Sequence, residues 1–304
     1  MRTLIALFVF FVAATLAAAT PRDALLVDAG WLAQHVHDPD LVLLQVGDQK
    51  SFDHAHIAGA RHVELPDVST SEHSMQGLIL EMPSADDLRQ RLEALGISDH
   101  SRVIVYYGKD WVSPTTRVLF TLQYAGLGAN ASMLDGGLDA WIHAGGAVTK
   151  APTAPSRGKL SPLHLQPLVV DGDTVRARIG ADGYAIVDGR AAVFFDGVDA
   201  GRDHDGSKQR LGHIRGAHSI PFTTITDDDL HVKSTADLRA MFDRAGVKPN
   251  DTVIGYCHIG MQTTAMLLAA RILGHAVLLY DGSYQDWSRH ADYPVENPSE
   301  RGRR

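Results

Sequence analysis

The chain has 304 residues, 45% hydrophobic and 21% charged, with a formal net charge of −8. That length suits two domains, and the composition is that of a globular protein rather than a disordered or fibrous one. Apart from the tail Arg301-Gly302-Arg303-Arg304 there is no basic run, so the clustered cationic footprint of a nucleic-acid binder is missing. A single cysteine, Cys257, excludes an internal disulfide and a Cys-based zinc site.

At the N-terminus Arg2 precedes an apolar run, Leu4 to Leu16, followed by Ala17-Ala18-Ala19. A basic start, an apolar stretch and an Ala-x-Ala site predict a secretory signal peptide over residues 1–19. The run is shorter than the ~20 residues of a membrane span. The mature protein is therefore expected to be exported, periplasmic or secreted, with no stable membrane span after cleavage.

The remainder repeats itself once. Ser84-Ala-Asp-Asp87-Leu88-Arg89 returns as Ser234-Thr-Ala-Asp237-Leu238-Arg239, and Val103-Ile-Val-Tyr-Tyr107 as Val253-Ile-Gly-Tyr-Cys257, both at an offset of 150. Thr115-Thr116 matches Thr263-Thr264 at 148, and Leu134-Asp135-Gly136 with Trp141 matches Tyr280-Asp281-Gly282 with Trp287 at 146. His56-Ile57-Ala-Gly-Ala60 matches His213-Ile214-Arg-Gly-Ala217 at 157. Such ordered anchors mark a tandem duplication.

Within each half, short apolar runs predict buried parallel strands: Leu41–Val46, Val103–Tyr107 and Met133–Leu134, then Ala185–Val187, Thr252–Tyr256 and Ala276–Tyr280. Ser84 and Ser234 stand as helix N-caps, and Gly96, Gly126, Gly246 and Gly274 fall where helices should stop. Strand–helix alternation predicts an α/β fold, each half an open parallel sheet with helices on both faces. The expected boundaries are domain 1 at 22–146, a Pro/Gly/Ser/Thr-rich linker at 147–167, domain 2 at 168–297 and a tail at 298–304.

Cys257 closes a strand and opens the loop Cys257-His258-Ile259-Gly260-Met261-Gln262-Thr263, with a helix expected from Thr264. That turn is the C-terminal edge of a parallel sheet, where ligands bind. Successive N–H groups there can hold an anion, which predicts a lowered thiol pKa and a reactive thiolate. Tyr107 stands at the equivalent place in the first half, so the fold itself does not need a cysteine there. A cysteine phosphatase requires an Arg about six residues past its Cys; Thr263 occupies that position. Disulfide exchange lacks a second Cys to resolve a mixed disulfide. A short cradle of N–H groups without Arg suits a smaller species such as a persulfide.

The tandem halves, Ile186-Val187-Asp188-Gly189-Arg190, Gly212-His213-Ile214-Arg215-Gly216-Ala217, Tyr256-Cys257-His258-Ile259-Gly260 and Asp281-Gly282-Ser283 with Trp287 together resemble the rhodanese superfamily, specifically its two-domain thiosulfate or 3-mercaptopyruvate sulfurtransferases. The resemblance spans about residues 22 to 296. It implies two tandem rhodanese-like domains and a ping-pong reaction. In that reaction the Cys257 thiolate takes a sulfane sulfur from a small donor, holds it as a persulfide and passes it to a thiophilic acceptor, cyanide or a thiol, including one on a protein. It also implies no cofactor and no metal, with the first domain inactive and covering the active face.

The residues expected around Cys257, as substrate-binding or loop-supporting groups, are Asp188, Arg190, His258, Ile259, Gly260, Met261, Gln262 and Thr263. Two cations common in the family are replaced, by Phe194 beyond the motif Asp and by His258-Ile259 after the cysteine, which leaves the donor open. Arg190, His258, Arg210 and Arg215 are the candidate substitutes; Arg190 reads equally as an internal ion pair, and His258 either as a His⁺ that stabilises the thiolate or as a hydrogen-bond partner of the donor. Asp188 is expected to anchor the loop, and Trp141, Trp287, His56 and His213 to be structural. His54, His56 and His62 lack the pattern of a metal site. The alternative reading is a non-catalytic persulfide carrier or partner-binding module.

Overall fold

The runs Val103-Ile-Val-Tyr-Tyr107 and Val253-Ile-Gly-Tyr256 leave neither face of a strand suited to water, so each must sit mid-sheet with helices on both sides. The structure, a computed structural model, describes residues 20–74, 77–109, 112–153, 156–203 and 205–301. The signal segment expected over 1–19 and the last three residues of the tail lie outside the described residues. In the first half β1 (Leu26–Val27), β2 (Leu41–Val46), β3 (Arg61–Val63), β4 (Arg102–Tyr107) and β5 (Ala131–Leu134) form a parallel sheet in the order β1-β5-β4-β2-β3. In the second, β6 (Val169–Val170), β7 (Tyr184–Asp188), β8 (His218–Ser219), β9 (Thr252–Tyr256) and β10 (Val277–Tyr280) follow the same plan, β6-β10-β9-β7-β8.

The expected central strands are present. The edge strands β1, β3, β6 and β8 were not signalled, because two or three residues are too few to show a period. The helices that position the site are α1 (Ala85–Ala94), α2 (Val112–Tyr124), α3 (Thr235–Ala245) and α4 (Thr263–Ile272). Ser84 and Ser234 cap α1 and α3 through hydroxyls that accept from Asp87 N at 3.4 Å and Asp237 N at 3.1 Å. The helix-stopping glycines take the left-handed conformation, with Gly246 at φ +85° closing α3.

Alternate strand residues feed different cores. Val103, Val105 and Val253 enter one central cluster shared by both halves, which also holds Val118 and Leu119 of α2 and Leu267 and Leu268 of α4. Ile104 and Tyr106 enter an outer cluster with Trp141, and Ile254 and Tyr256 another with Trp287. Helices α2 and α4 therefore pack face to face in the middle, where the Thr116 and Thr264 hydroxyls meet at 2.8 Å.

Each half also lends the other a strap. In the first, Met82 N donates to Asp281 at 2.6 Å and Ile79 N to Gln285 at 3.2 Å. In the second, Val232 N donates to Asp135 at 2.7 Å, and the Tyr107 hydroxyl donates to Leu230 O at 2.6 Å. The linker is partly fastened: Val148–Thr149 pairs antiparallel with His56–Ile57, and Leu160 is buried with its N–H on Glu93 at 3.1 Å.

Tyr107→Phe removes the hydroxyl that donates to Leu230 O while keeping the buried ring. Denaturant unfolding should show a loss of about 1 kcal/mol.

Candidate active site

Strand β9 ends at Tyr256, so Cys257 emerges at the C-terminal edge of the second sheet, fully buried, with α4 starting six residues on at Thr263. Burial pushes the Cys257 thiol above its ordinary pKa, while the N–H groups of Thr263, Ile259 and Gln262 pull the other way. This corrects the expectation of a lowered pKa: the cradle of N–H groups is present, but complete loss of water around sulfur outweighs it. The loop is held from behind by α5 (Ser283–Trp287). Ser283 accepts from Cys257 N at 3.2 Å and donates to Tyr280 O at 2.8 Å, while Tyr284 N and Gln285 N donate to the carbonyls of Cys257 and His258 at 3.0 and 2.9 Å. Gly260 turns the loop at φ +77°; a Cβ there would stand 2.8 Å from Asp281 O.

Asp188 and Arg190 form a buried bidentate pair beneath the loop. Arg190 Nη2 donates to Asp188 Oδ2 at 2.7 Å and Nε to Oδ1 at 3.0 Å; a further Nη2 bond reaches Gly212 O at 2.7 Å. The guanidinium lies 4.0 Å from the Tyr284 ring centre. Arg190 is thus held in an internal ion pair, with Asp188 accepting from both its backbone N–H and its guanidinium.

His258 is corrected: burial foremost, then the Arg190 charge, pushes its pKa down to about 4, so it is neutral rather than His⁺. Its Nδ1 donates to Gln209 Oε1 at 3.1 Å, and Phe194 meets its ring edge-on at 4.6 Å. Arg210 does not substitute either, since it donates to His290 O and Tyr293 O at 2.9 and 2.8 Å, and Arg215 is exposed.

Ile259, Met261 and Gln262 are half-buried along the loop, and Met261 O accepts from the Thr264 hydroxyl at 2.7 Å. Thr263 is buried, its hydroxyl without a partner among the described residues. His56 and His213 are structural, stacked on Phe52 and Phe195 and bonded to the Phe52 and Phe195 carbonyls at 2.8 and 2.7 Å. His62 bonds Gly47 O at 2.6 Å, and the described residues contain no cluster able to hold a metal.

A family model of the rhodanese-like domain matches residues 28–144 and again 171–290. The chain belongs to the rhodanese family. SseB of Mycobacterium tuberculosis is 30% identical over 243 residues, 79% of this chain and 82% of its own. A thiosulfate sulfurtransferase of Rattus norvegicus is 28% identical over 282 residues, 88% of this chain and 92% of its own. Among solved structures YnjE superposes with a TM-score of 0.78 at 24% identity, covering 91% of this chain and 69% of that one, a likeness in fold.

In this rhodanese the half without the cysteine reaches into the loop. Arg117 of α2, fully buried, donates to Asp281 Oδ1 at 2.7 Å and to Gly260 O at 3.1 Å, and also to Leu80 O. Sequence reasoning passed over Arg117; the available signal was a lone charge in the middle of an apolar helix. Glu81, on the strap beside it, is pushed up to about 8 by burial and by the Asp281 charge, with Arg117 opposing.

Arg117→Met leaves Asp281 buried without its cation, and unfolding measurements should show a loss of about 3–5 kcal/mol. The folded protein holds the Glu81 proton up to about 8, while an unfolded chain releases it near 4.5, so Glu81 costs stability as pH rises through that window. Glu81→Gln should therefore raise the melting temperature at alkaline pH and leave it unchanged below the unfolded pKa.

Proposed function

We propose that this protein is a sulfurtransferase that carries sulfane sulfur as a persulfide on Cys257. The observation that supports this most is the enclosure of one sulfur by the N–H groups of Ile259, Gln262 and Thr263, on a loop too short in cations for a phosphate. Thiosulfate and 3-mercaptopyruvate are the donor candidates. With thiosulfate, the Cys257 thiolate attacks the outer sulfur, the sulfur–sulfur bond breaks, and sulfite leaves with the bonding pair. The persulfide anion then gives its outer sulfur to cyanide as thiocyanate, or to a thiolate as a new persulfide, and Cys257 returns as the thiolate. The N–H groups stabilise anionic sulfur in both states without a change in protein charge. Arg190 and Asp188 keep the loop in place, and neutral His258 with Phe194 forms a wall that excludes water.

Export to the periplasm or the outside is proposed on Arg2, Leu4–Leu16 and Ala17-Ala18-Ala19.

Purified protein should form thiocyanate from cyanide with one or both donors, and Cys257→Ser should form none while melting as the parent does. Turnover by Cys257→Ser would overturn the assignment; a stable persulfide without turnover would favour the carrier reading. Because burial holds the thiol up, the rate with a neutral thiol alkylator should keep rising with pH beyond the ordinary thiol range. No step from His258 should appear between about pH 5 and 8, and His258→Gln should leave that profile in place.

A further inference from the structure

The second half carries a segment that the first lacks. Phe52 and His56 are four residues apart, and their counterparts Phe195 and His213 are eighteen apart, which makes 198–211 an insertion of fourteen residues. Its two arms pair as a hairpin: Gln209 N donates to Gly201 O at 2.8 Å and Asp203 N to Ser207 O at 2.9 Å. The hairpin closes on His258, the neighbour of Cys257. Gln209 Oε1 accepts from His258 Nδ1 at 3.1 Å, and a Cβ on Gly201 would stand 2.6 Å from His258 Cε1. Cys257 itself is 0% exposed, so no donor or acceptor reaches its sulfur without movement.

Apolar packing does little to hold the hairpin down. None of its described residues belongs to the three buried hydrophobic clusters, and Val198 and Leu211 at its base are 71% and 40% exposed. A segment with so few buried apolar contacts is one that opens locally at low cost. It is bracketed by Gly197 and Gly212, at φ +70° and +96°, positions able to absorb a hinge motion.

Its fastening is polar. Arg289, just past α5, donates to Asp203 Oδ2 from Nη2 at 2.7 Å and from Nε at 3.1 Å, and the Asp203 side chain is 6% exposed. Gln285 Nε2 donates to Asp203 Oδ1. The strap of the first half arrives at the same two partners: Ile79 N donates to Gln285 Oε1 at 3.2 Å, and Gly77 O accepts from Arg289 Nη1 at 3.1 Å. Arg289 and Gln285 thus clip hairpin and strap together. Their counterparts in the first half, His143 and Asp139, are exposed. The fold does not need this junction, which occurs in the half that has a sulfur to cover.

We infer that the Asp203 hairpin is a gate over Cys257, that the Asp203–Arg289 pair is its latch, and that substrates reach the sulfur when the latch opens. The latch governs access rather than sulfur chemistry, so it is tested without any sulfur donor and stands or falls separately from the persulfide reading.

The test is the rate at which iodoacetamide alkylates Cys257 in the full chain at one fixed pH, followed by intact mass. When opening and closing are fast, that rate follows the population of the open form. Arg289→Met should raise it about tenfold, one decade in the opening equilibrium, and Asp203→Asn should do the same. The double variant should be no more than about twofold faster than either single one, because both remove one contact. Tyr107→Phe, which loosens the other strap, should leave the rate unchanged. Circular dichroism at the assay temperature checks that each variant is folded; should Arg289→Met not fold, Asp203→Asn, which keeps the parent's shape, decides. An unchanged rate in the folded latch variants, multiplying effects in the double variant, or equal acceleration by Tyr107→Phe would each overturn the inference.

Discussion

The cysteine loop is held to its shape by a contact that crosses the duplication. Arg117, deep in the half that has no cysteine, ties Gly260 O of the loop to Asp281, and Asp281 in turn accepts from Met82 of the strap. A buried guanidinium and carboxylate need each other and fixed hydrogen bonds to be tolerable away from water. Their presence requires the two halves to stay docked in one geometry. The three N–H groups that face Cys257 have their aim set by that docking, as does the burial that raises the thiol's pKa.

Duplication supplied the frame and divergence supplied the chemistry. Both sheets run in the same order, both straps end on the homologous aspartates Asp135 and Asp281, and both His56 and His213 stack on a phenylalanine, Phe52 and Phe195. What changed is concentrated at one edge. Tyr107 fills the place of Cys257 and spends its hydroxyl on Leu230, while the Asp188–Arg190–Tyr284 stack of the second half gives way to Gln45, Gly47 and Leu138. One half thereby gained a rigid floor under Cys257, and the other kept an open cavity.

The fold was legible because its signals are local and doubled. The β4 and β9 runs, the Ser84 and Ser234 caps and the helix-ending glycines each occur twice at one spacing, and the central strands lie where the runs fall. Cys257, Gly260 and the Asp188 anchor were legible for the same reason, as departures from or additions to the repeat. The charge states were not. Whether His258 is protonated depends on how much water Phe194, Gln209 and Arg190 exclude, and whether the N–H cradle lowers the thiol pKa depends on burial set by residues far off in the chain. Arg117 was hidden because its partners, Gly260 and Asp281, are more than 140 positions away. Short edge strands such as β3 and β8 were hidden because pairing with a neighbour, rather than their own pattern, makes them strands.

The most direct test of the central claim is intact-mass and peptide-mass analysis of the protein after exposure to thiosulfate or 3-mercaptopyruvate. The expected result is the added mass of one sulfur atom, located on Cys257 and removed by cyanide with release of thiocyanate. Unmodified protein with every donor, or added sulfur that cyanide cannot remove, would contradict a persulfide mechanism at this site.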